Sequence, residues 1–421
     1  MSALALMLKE KGFCVCGYDK TESDITDRLK QNGIFVNRSG DAENCDLAVV
    51  SSAIAEDDPV KLKLLQLKKA VVSRGWLLAR IAECYPLSIG IAGTHGKTTC
   101  TCILAHILKT AGKKFTLHVG GEDAEFGNTY VCGDDIFLTE VCEYKRNIAF
   151  FNPDIGVVLN VDDDHEESYG SFFGLCDEFS SYAERSKRAV TNLDDVNLPH
   201  FDAVTFSGSN PMSDYYASDI FFNGETLECA VFGRGARLFK ISSNFLRLHD
   251  VHNILAATAV AKVLNIPDKA IKNGIEEFHG VKRRNEYIGN YNGKPIYADY
   301  AHHPAQLKAT IEEYIERFGK NIRVLFQSHT YSRTARLLDE FANALSLVSD
   351  VKLFETYAAR ESYNIDGSYK KLAYRLKNAT LCDDYDGIFH ALDDNKNNVS
   401  AYIVLGAGDL YDRVKVFLKN N

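Results

Sequence analysis

The chain has 421 residues, enough for two or three packed cores at about 150 residues per domain. Hydrophobic residues make up 46% and charged residues 25%, which excludes a largely disordered or collagen-like protein. A formal charge of -9 gives no general attraction to nucleic-acid phosphates or to an anionic membrane surface, so no nucleic-acid partner is expected and any phosphate binding must be local.

No run approaches the roughly 18 apolar residues of a membrane span. The opening residues turn charged at Lys9, too soon for a secretory signal, so a cytoplasmic location is expected. The 11 cysteines are an odd number and form no C-x-x-C pair, which reads as reduced thiols.

Apolar runs bounded by turn residues alternate with helix-period segments throughout, the pattern of an α/β chain with parallel sheets and crossover helices. A helix over 4–10, a strand over 13–16 ending at Gly17-Tyr18-Asp19, and a strand over 47–50 before Ser51-Ser52 predict a Rossmann-like half. The chain opens inside the first helix, so the strand and glycine-rich phosphate turn that normally open such a half are expected to be absent. A strand over 87–92 then runs into Gly93-Thr94-His95-Gly96-Lys97-Thr98-Thr99, and a helix follows with Ile103, Leu104, Ile107 and Leu108 on one face, ending at Ala111-Gly112. Strands over 135–139 and 155–159 deliver Glu140 and Asn160 at their C-terminal ends, where open α/β sheets place ligands. After Lys282-Arg283-Arg284, strands over 296–298, 324–326 and 402–405 alternate with helices. Three domains are predicted: a Rossmann-like one over 1–86, truncated at its start, a P-loop-type ATPase domain over 87–284, and a second Rossmann-like one over 285–421.

Residues 93–99 follow a strand and open a helix, so their backbone amides can face phosphate oxygens, with Lys97 as the cation and Thr98 as a magnesium ligand. The loop departs from G-x-x-x-x-G-K-[ST] because residue 91 is Ile. Glu140 ends a strand as a direct ligand for a hard cation or as a solvated acid. Asn160-Val161-Asp162-Asp163-Asp164-His165 reads either as a second magnesium site or as a capped acidic turn. Arg284 and Asp299 are placed to close over a nucleotide, guanidinium on the outer phosphate and carboxylate on the ribose, or are surface charges.

Together these motifs resemble the Mur ligases, whose phosphate loop has the form G-T-x-G-K-[ST]. The likeness extends over the whole chain through Asp299-Tyr-Ala-His-His-Pro304, Phe326-Gln-Ser-His-Thr-Tyr-Ser-Arg-Thr334, Tyr357-Ala-Ala359 and Gly406-Ala-Gly-Asp409. The resemblance implies an ATP- and Mg2+-dependent ligase of peptidoglycan precursor synthesis that joins L-alanine to the carboxylate of UDP-N-acetylmuramate through an acyl phosphate. It also implies roles. Ser51, Ser52 and Arg74 would line the UDP-sugar path; Lys97, Thr98, Glu140 and His165 would hold ATP and magnesium. His252 and Asn253 would lie by the adenine, and Tyr300, His302 and Arg333 around the amino acid. With nucleotide and amino acid on different domains, closure of the third domain is expected on binding.

Several residues depart from the family pattern: Cys142 for Asp, Asp250 for Gly, Ala256 for Asn, Asn285 for Phe and Thr330 for a second Arg. Two other readings remain open: a recycling ligase that adds a tripeptide to the same UDP-sugar, and a non-catalytic nucleotide-binding paralogue.

Overall fold

Leu87–Ala92 is an almost unbroken apolar run and is buried nearly throughout, as a strand covered on both faces of a parallel sheet must be. Our computed structural model describes residues 1–20, 22–41, 44–52, 54–162, 168–198, 202–359, 361–382, 386–392 and 399–420. The chain forms two units, Met1–Phe222 with Thr226–His279, and Asn223–Glu225 with Gly280–Asn421.

In the first unit the ten-stranded sheet runs Gly127–Val131, Phe115–Asp123, Ile136–Glu140, Leu87–Ala92, Ile155–Val158, Arg188–Asn192, Val204–Ser207, Tyr215–Phe222, Leu227–Gly233, Ala236–Ser243. Pairing is parallel from Phe115–Asp123 to Tyr215–Phe222 and antiparallel at both edges. Leu87–Ala92 therefore lies between the strands that end at Glu140 and just before Asn160.

The helix Lys97–Thr110 follows the phosphate turn, and residues 100 to 108 are all buried, not one face only as its apolar spacing predicts. The helices Val251–Val263 and Asp268–Glu276 cover its other side, and a helix wrapped on all sides loses its polar face. Thr101, inside this wrap, satisfies its own hydroxyl on the Lys97 carbonyl at 2.7 Å. The helix ends as expected: Gly112 takes φ +66, its amide reaches Lys109 and the Lys113 amide reaches Leu108, the hydrogen-bond pair of a Schellman motif.

The first 86 residues form two separate parallel strand pairs, Cys16–Tyr18 with Phe35–Asn37 and Leu47–Val50 with Ala70–Ser73. The first strand starts at Cys16, not at residue 13. Gly12 and Phe13 are spent on closing the helix Ser2–Glu10, their amides bonding the Lys9 and Leu8 carbonyls, and Phe13 stays 61% exposed. Leu4 and Met7 of that helix share one core with Leu78, Ala82, Phe137, Val141 and Tyr182, so this segment and the ten-stranded sheet belong to one unit.

The second unit is a six-stranded sheet in the order Glu286–Tyr291, Lys294–Asp299, Tyr402–Leu405, Arg323–His329, Asp350–Tyr357, Ala379–Cys382. Only the first pair is antiparallel. Two cores, one containing Leu307, Phe326, Phe341 and Ile403 and the other Ile296, Leu325, Tyr402 and Val414, use alternate residues of the same strands, so both sheet faces are covered. Among the described residues no helix is long and apolar enough to cross a membrane.

Gly274 shows how closely the phosphate-loop helix is clasped, since a Cβ there would lie 2.5 Å from the Ile107 Cα. Two backbones meet, and neither can turn aside as a side-chain tip could. Gly274→Ala is expected to lower the unfolding free energy by about 1–3 kcal/mol, measured by urea denaturation. An unchanged midpoint would show that the two helices can part freely.

Candidate active site

Gly93 and Gly96 are glycines for steric reasons. Gly93 has φ +139, and a Cβ would lie 2.9 Å from the Leu159 Cβ; Gly96 has φ +81, and a Cβ would lie 2.4 Å from the Asn253 Oδ1. Asn160 braces the turn between them. Its carbonyl accepts from the Thr94 amide at 3.0 Å, its Oδ1 accepts from the His95 amide at 2.8 Å, and its Nδ2 donates to the His95 carbonyl at 3.2 Å. Thr94 and His95 therefore shape the loop, His95 also placing Nε2 3.0 Å from Asp162 Oδ2. Gly96 caps the helix with no side chain, which leaves the first-turn amides of Lys97, Thr98 and Thr99 as the anion-facing donors.

Lys97 opens the helix with its side chain only 18% exposed. Its Nζ donates to the carbonyls of Gly93 at 2.6 Å and Thr94 at 3.1 Å and pairs with the buried Glu143 at 2.9 Å. Burial, the largest single cause, would lower its pKa, but the Glu143 charge and hydrogen bond together with the neighbouring acidic groups outweigh it and hold the ammonium above its ordinary value. Thr98 Oγ1 donates to Glu140 Oε2 at 2.7 Å, and Glu140 Oε1 accepts from the Gly120 amide at 2.6 Å. Cys142 lies between the two glutamates in sequence, and burial, then Glu143, pushes its thiol up. It stays neutral, leaving the charge to Glu140 and Glu143.

Among the described residues no three His, Cys, Asp or Glu side chains cluster as a metal cage. A hydroxyl and a carboxylate beside a phosphate cradle nonetheless suit magnesium, which keeps few protein ligands and takes the rest from phosphates and water. His165, with Asp163 and Asp164, lies outside the described residues.

His252 places Nε2 2.9 Å from Asp194 Oδ2. Burial works against the Asp194 charge, but bonds from Ser207, His252 and the Gly208 amide hold its carboxyl below the usual range. Asn253 is buried against Gly96 and donates to Asp250 Oδ1 at 3.0 Å, while Asp250 Oδ2 accepts from the Arg247 amide at 3.1 Å. Ala256 is fully buried in the same helix.

Arg74 opens the helix Arg74–Ala82, whose cap is Ser73. With burial as the larger cause, Arg74 helps lower the pKa of His118 to about 3, so that imidazole is neutral; its Nδ1 meets Thr139 Oγ1 at 3.1 Å. Ser52 accepts from Asn147 at 2.9 Å. Ser51 is half-buried beside it in sequence.

In the second unit Arg284 stacks over the Tyr300 ring at 5.2 Å and pairs with no carboxylate among the described residues. Asp299 braces the segment that carries it: its two oxygens accept from the amides of Asn285 at 2.9 Å and Ala301 at 2.8 Å. Asn285 takes φ +46, a conformation Asn tolerates far better than Phe, and its amide group joins Tyr314 at 2.6 Å and Glu313 at 3.0 Å. His302 sets Nδ1 3.0 Å from the Tyr300 carbonyl. Arg333 donates to the His329 carbonyl at 3.3 Å. Burial, then Arg333, holds the His329 imidazole below its usual range. Thr330 and Ser332 both bond Glu361, the Thr330 hydroxyl and the Ser332 amide each at 2.8 Å.

The structure thus brings Lys97, Thr98, Glu140 and Asn253 to one loop in the first unit, and Arg284, Asp299, Tyr300 and His302 to one loop region in the second. Asp194 and Glu361 are additions that motif reading did not select. Asp194 follows the strand Arg188–Asn192, so the rule that found Glu140 and Asn160 at strand ends could have found it. Glu361 carries no such positional signal.

Three family models cover the chain in order: "Mur ligase family, catalytic domain" over residues 1–85, "Mur ligase middle domain" over 91–261, and "Mur ligase, glutamate ligase domain" over 283–408. The UDP-N-acetylmuramate--L-alanine ligase of Lachnospira eligens is 35% identical, with 98% of this chain and 94% of that protein aligned. The protein of the same name from Clostridium beijerinckii is 35% identical, over 100% and 95%. Among solved structures, UDP-N-acetylmuramate-alanine ligase MurC of Thermotoga maritima superposes with a TM-score of 0.85 at 25% identity, covering 100% of this chain and 96% of that one.

Because Glu143 is buried and Lys97 is only 18% exposed beside it, removing either partner leaves a largely uncompensated charge. Lys97→Ala and Glu143→Ala are each expected to cost about 3 kcal/mol of stability, and the double variant much less than the sum. Chemical denaturation of the four proteins measures this; strict additivity would mean the ion pair does not couple them.

Proposed function

The chain belongs to the Mur ligase family, and from that premise we propose that it joins L-alanine to the carboxylate of UDP-N-acetylmuramate with ATP, in the cytoplasm, as a step of peptidoglycan precursor synthesis. The reading is carried by whole-length identity of 35% to ligases of that name, together with a phosphate loop whose lysine has a buried counter-charge. The proposal divides the chain into a sugar-nucleotide part over 1–86, an ATP part over 87–284 and an amino-acid part over 285–421.

In the first step a muramoyl carboxylate oxygen attacks the γ-phosphorus of ATP, giving an acyl phosphate and ADP. In the second the alanine amine attacks the acyl carbon, inorganic phosphate leaves, and the nitrogen gives up a proton. Two anions must meet in the first step, so the demand is electrostatic. Lys97 supplies a positive charge that the Glu143 carboxylate beside it favours, and the amides of Lys97, Thr98 and Thr99 supply fixed dipoles. A magnesium ion held by Thr98 and Glu140, with His165 assigned by the resemblance, would neutralise phosphate charge. Asn160, Thr94 and His95 keep the loop in shape, and His252 and Asn253 are assigned to the adenine side.

From the second unit, Arg284 is assigned to the outer phosphate, with Asp299 fixing the backbone beside it. Arg333 is assigned to the amino-acid carboxylate, and Tyr300 and His302 to the incoming amine. Ser51, Ser52 and Arg74 are assigned to the sugar nucleotide. Thr330 brings no charge to the amino-acid side and is occupied by Glu361.

Phosphate release by the purified chain with ATP, magnesium and UDP-N-acetylmuramate is expected to require L-alanine, with glycine, serine and a tripeptide as weaker acceptors. Lys97→Ala is expected to lower turnover by at least about 100-fold. Release that depends on the tripeptide, or on no acceptor, would overturn the assignment.

A further inference from the structure

Asn147 is a buried amide, 4% exposed, that bonds its own turn and a segment 95 residues away. Its Nδ2 donates to the Ser52 hydroxyl at 2.9 Å and to the Tyr144 carbonyl at 2.6 Å. Its Oδ1 occupies the space a side chain would need on Gly75, 2.2 Å from where a Cβ would sit. Gly75 adjoins Arg74 on the first turn of the helix Arg74–Ala82. One side chain therefore touches both parts of the proposed sugar-nucleotide path.

The same short segment is tied to the phosphate loop at its other end, where Glu143 pairs with Lys97. Between these ties the backbone is forced, with Lys145 at φ 50 and Arg146 at φ 57, a region that non-glycine residues enter only when their surroundings hold them there. The holds are present: the Arg146 amide bonds the Glu143 carbonyl at 2.9 Å, its guanidinium bonds the buried Glu178 at 3.1 Å, and the Lys145 amide bonds Ser168 at 3.3 Å. A segment held this way transmits position and does not absorb it.

We propose that Asn147 is a positioning residue for the sugar-nucleotide substrate, setting Ser52 and the Arg74 turn in register with Lys97. The inference rests on the reading of Ser52 and Arg74 given above. Asn147 touches no substrate itself; it acts through the Ser52 hydroxyl and by occupying the space over Gly75.

Asn147→Asp keeps the size but cannot donate, and Asn147→Ala removes the amide altogether. Both are expected to raise the KM for UDP-N-acetylmuramate about 10-fold, the effect of one lost buried hydrogen bond, with the KM for ATP within about twofold. In a Ser52→Ala background the Asn147→Asp change, which keeps the space over Gly75 filled, should add less than about twofold, because the hydroxyl partner is already gone. An unchanged KM for the sugar nucleotide, an equal rise for ATP, or full additivity with Ser52→Ala would overturn the proposal. Should Asn147→Ala fail to fold, the Asp variant carries the test. Calorimetric Kd values for UDP-N-acetylmuramate give the same comparison without turnover. Wild-type chain that binds this nucleotide but ligates nothing would count against the proposed activity and leave this inference standing.

Discussion

An ammonium group cannot be taken out of water without a partner, and the first unit is arranged around that fact at Lys97. Burial opposes the charge, Glu143 and the acidic groups around it offset that, and the ammonium is held above its ordinary value. Glu143 must then be held as firmly as the loop it serves. It sits just past the strand that ends at Glu140 and begins a segment fixed by Glu178, Ser168 and Asn147. The other loop residues are braced in the same manner, Thr94 and His95 by Asn160, Thr98 by Glu140 and Gly96 by contact with Asn253. The loop is thus held in shape, while the three N–H donors of Lys97 are engaged by Gly93, Thr94 and Glu143, so one of them is exchanged when phosphate arrives.

The second unit uses the same economy with different parts. Asp299 grips two backbone amides on either side of the strand turn, and Glu361 grips the start of the segment that carries Arg333. In Gly406-Ala-Gly-Asp409 the glycines make room for one residue: a Cβ on Gly406 would lie 2.3 Å from the Gln327 carbonyl oxygen, and one on Gly408 2.1 Å from its Oε1. Gln327 then bonds Asp409 at 2.9 Å and the Leu410 amide at 3.0 Å. That motif knits the ends of two neighbouring strands, so its residues serve the scaffold on which the assigned residues stand.

Three of the departures from the family pattern have local hydrogen-bond partners. Asp250 orients Asn253 and accepts from the Arg247 amide. Asn285 suits a left-handed backbone and bonds Tyr314 and Glu313. Thr330 bonds Glu361. Cys142 stays a neutral thiol between two glutamates that keep the charge. Asp250, Asn285 and Thr330 are polar replacements whose hydrogen bonds are satisfied, which is what lets them persist at half-buried and buried positions.

Order along the chain was enough to identify the strands that carry Glu140, Asn160 and the phosphate loop, because an apolar run followed by glycines and a Gly-Lys-Thr step has few other physical outcomes. It also placed the end of the helix Lys97–Thr110 at Ala111-Gly112, since only glycine accepts that backbone turn cheaply. The first strand escaped it, because Phe13 looks like a strand residue and is instead consumed by a helix cap. Wrapping of the phosphate-loop helix, the pairing of Lys97 with Glu143 and the reach of Asn147 to Ser52 and Gly75 were decided only by tertiary structure. Each is a contact between segments 46 or more residues apart along the chain, and a local pattern carries no information about which distant group will fill a space or neutralise a charge.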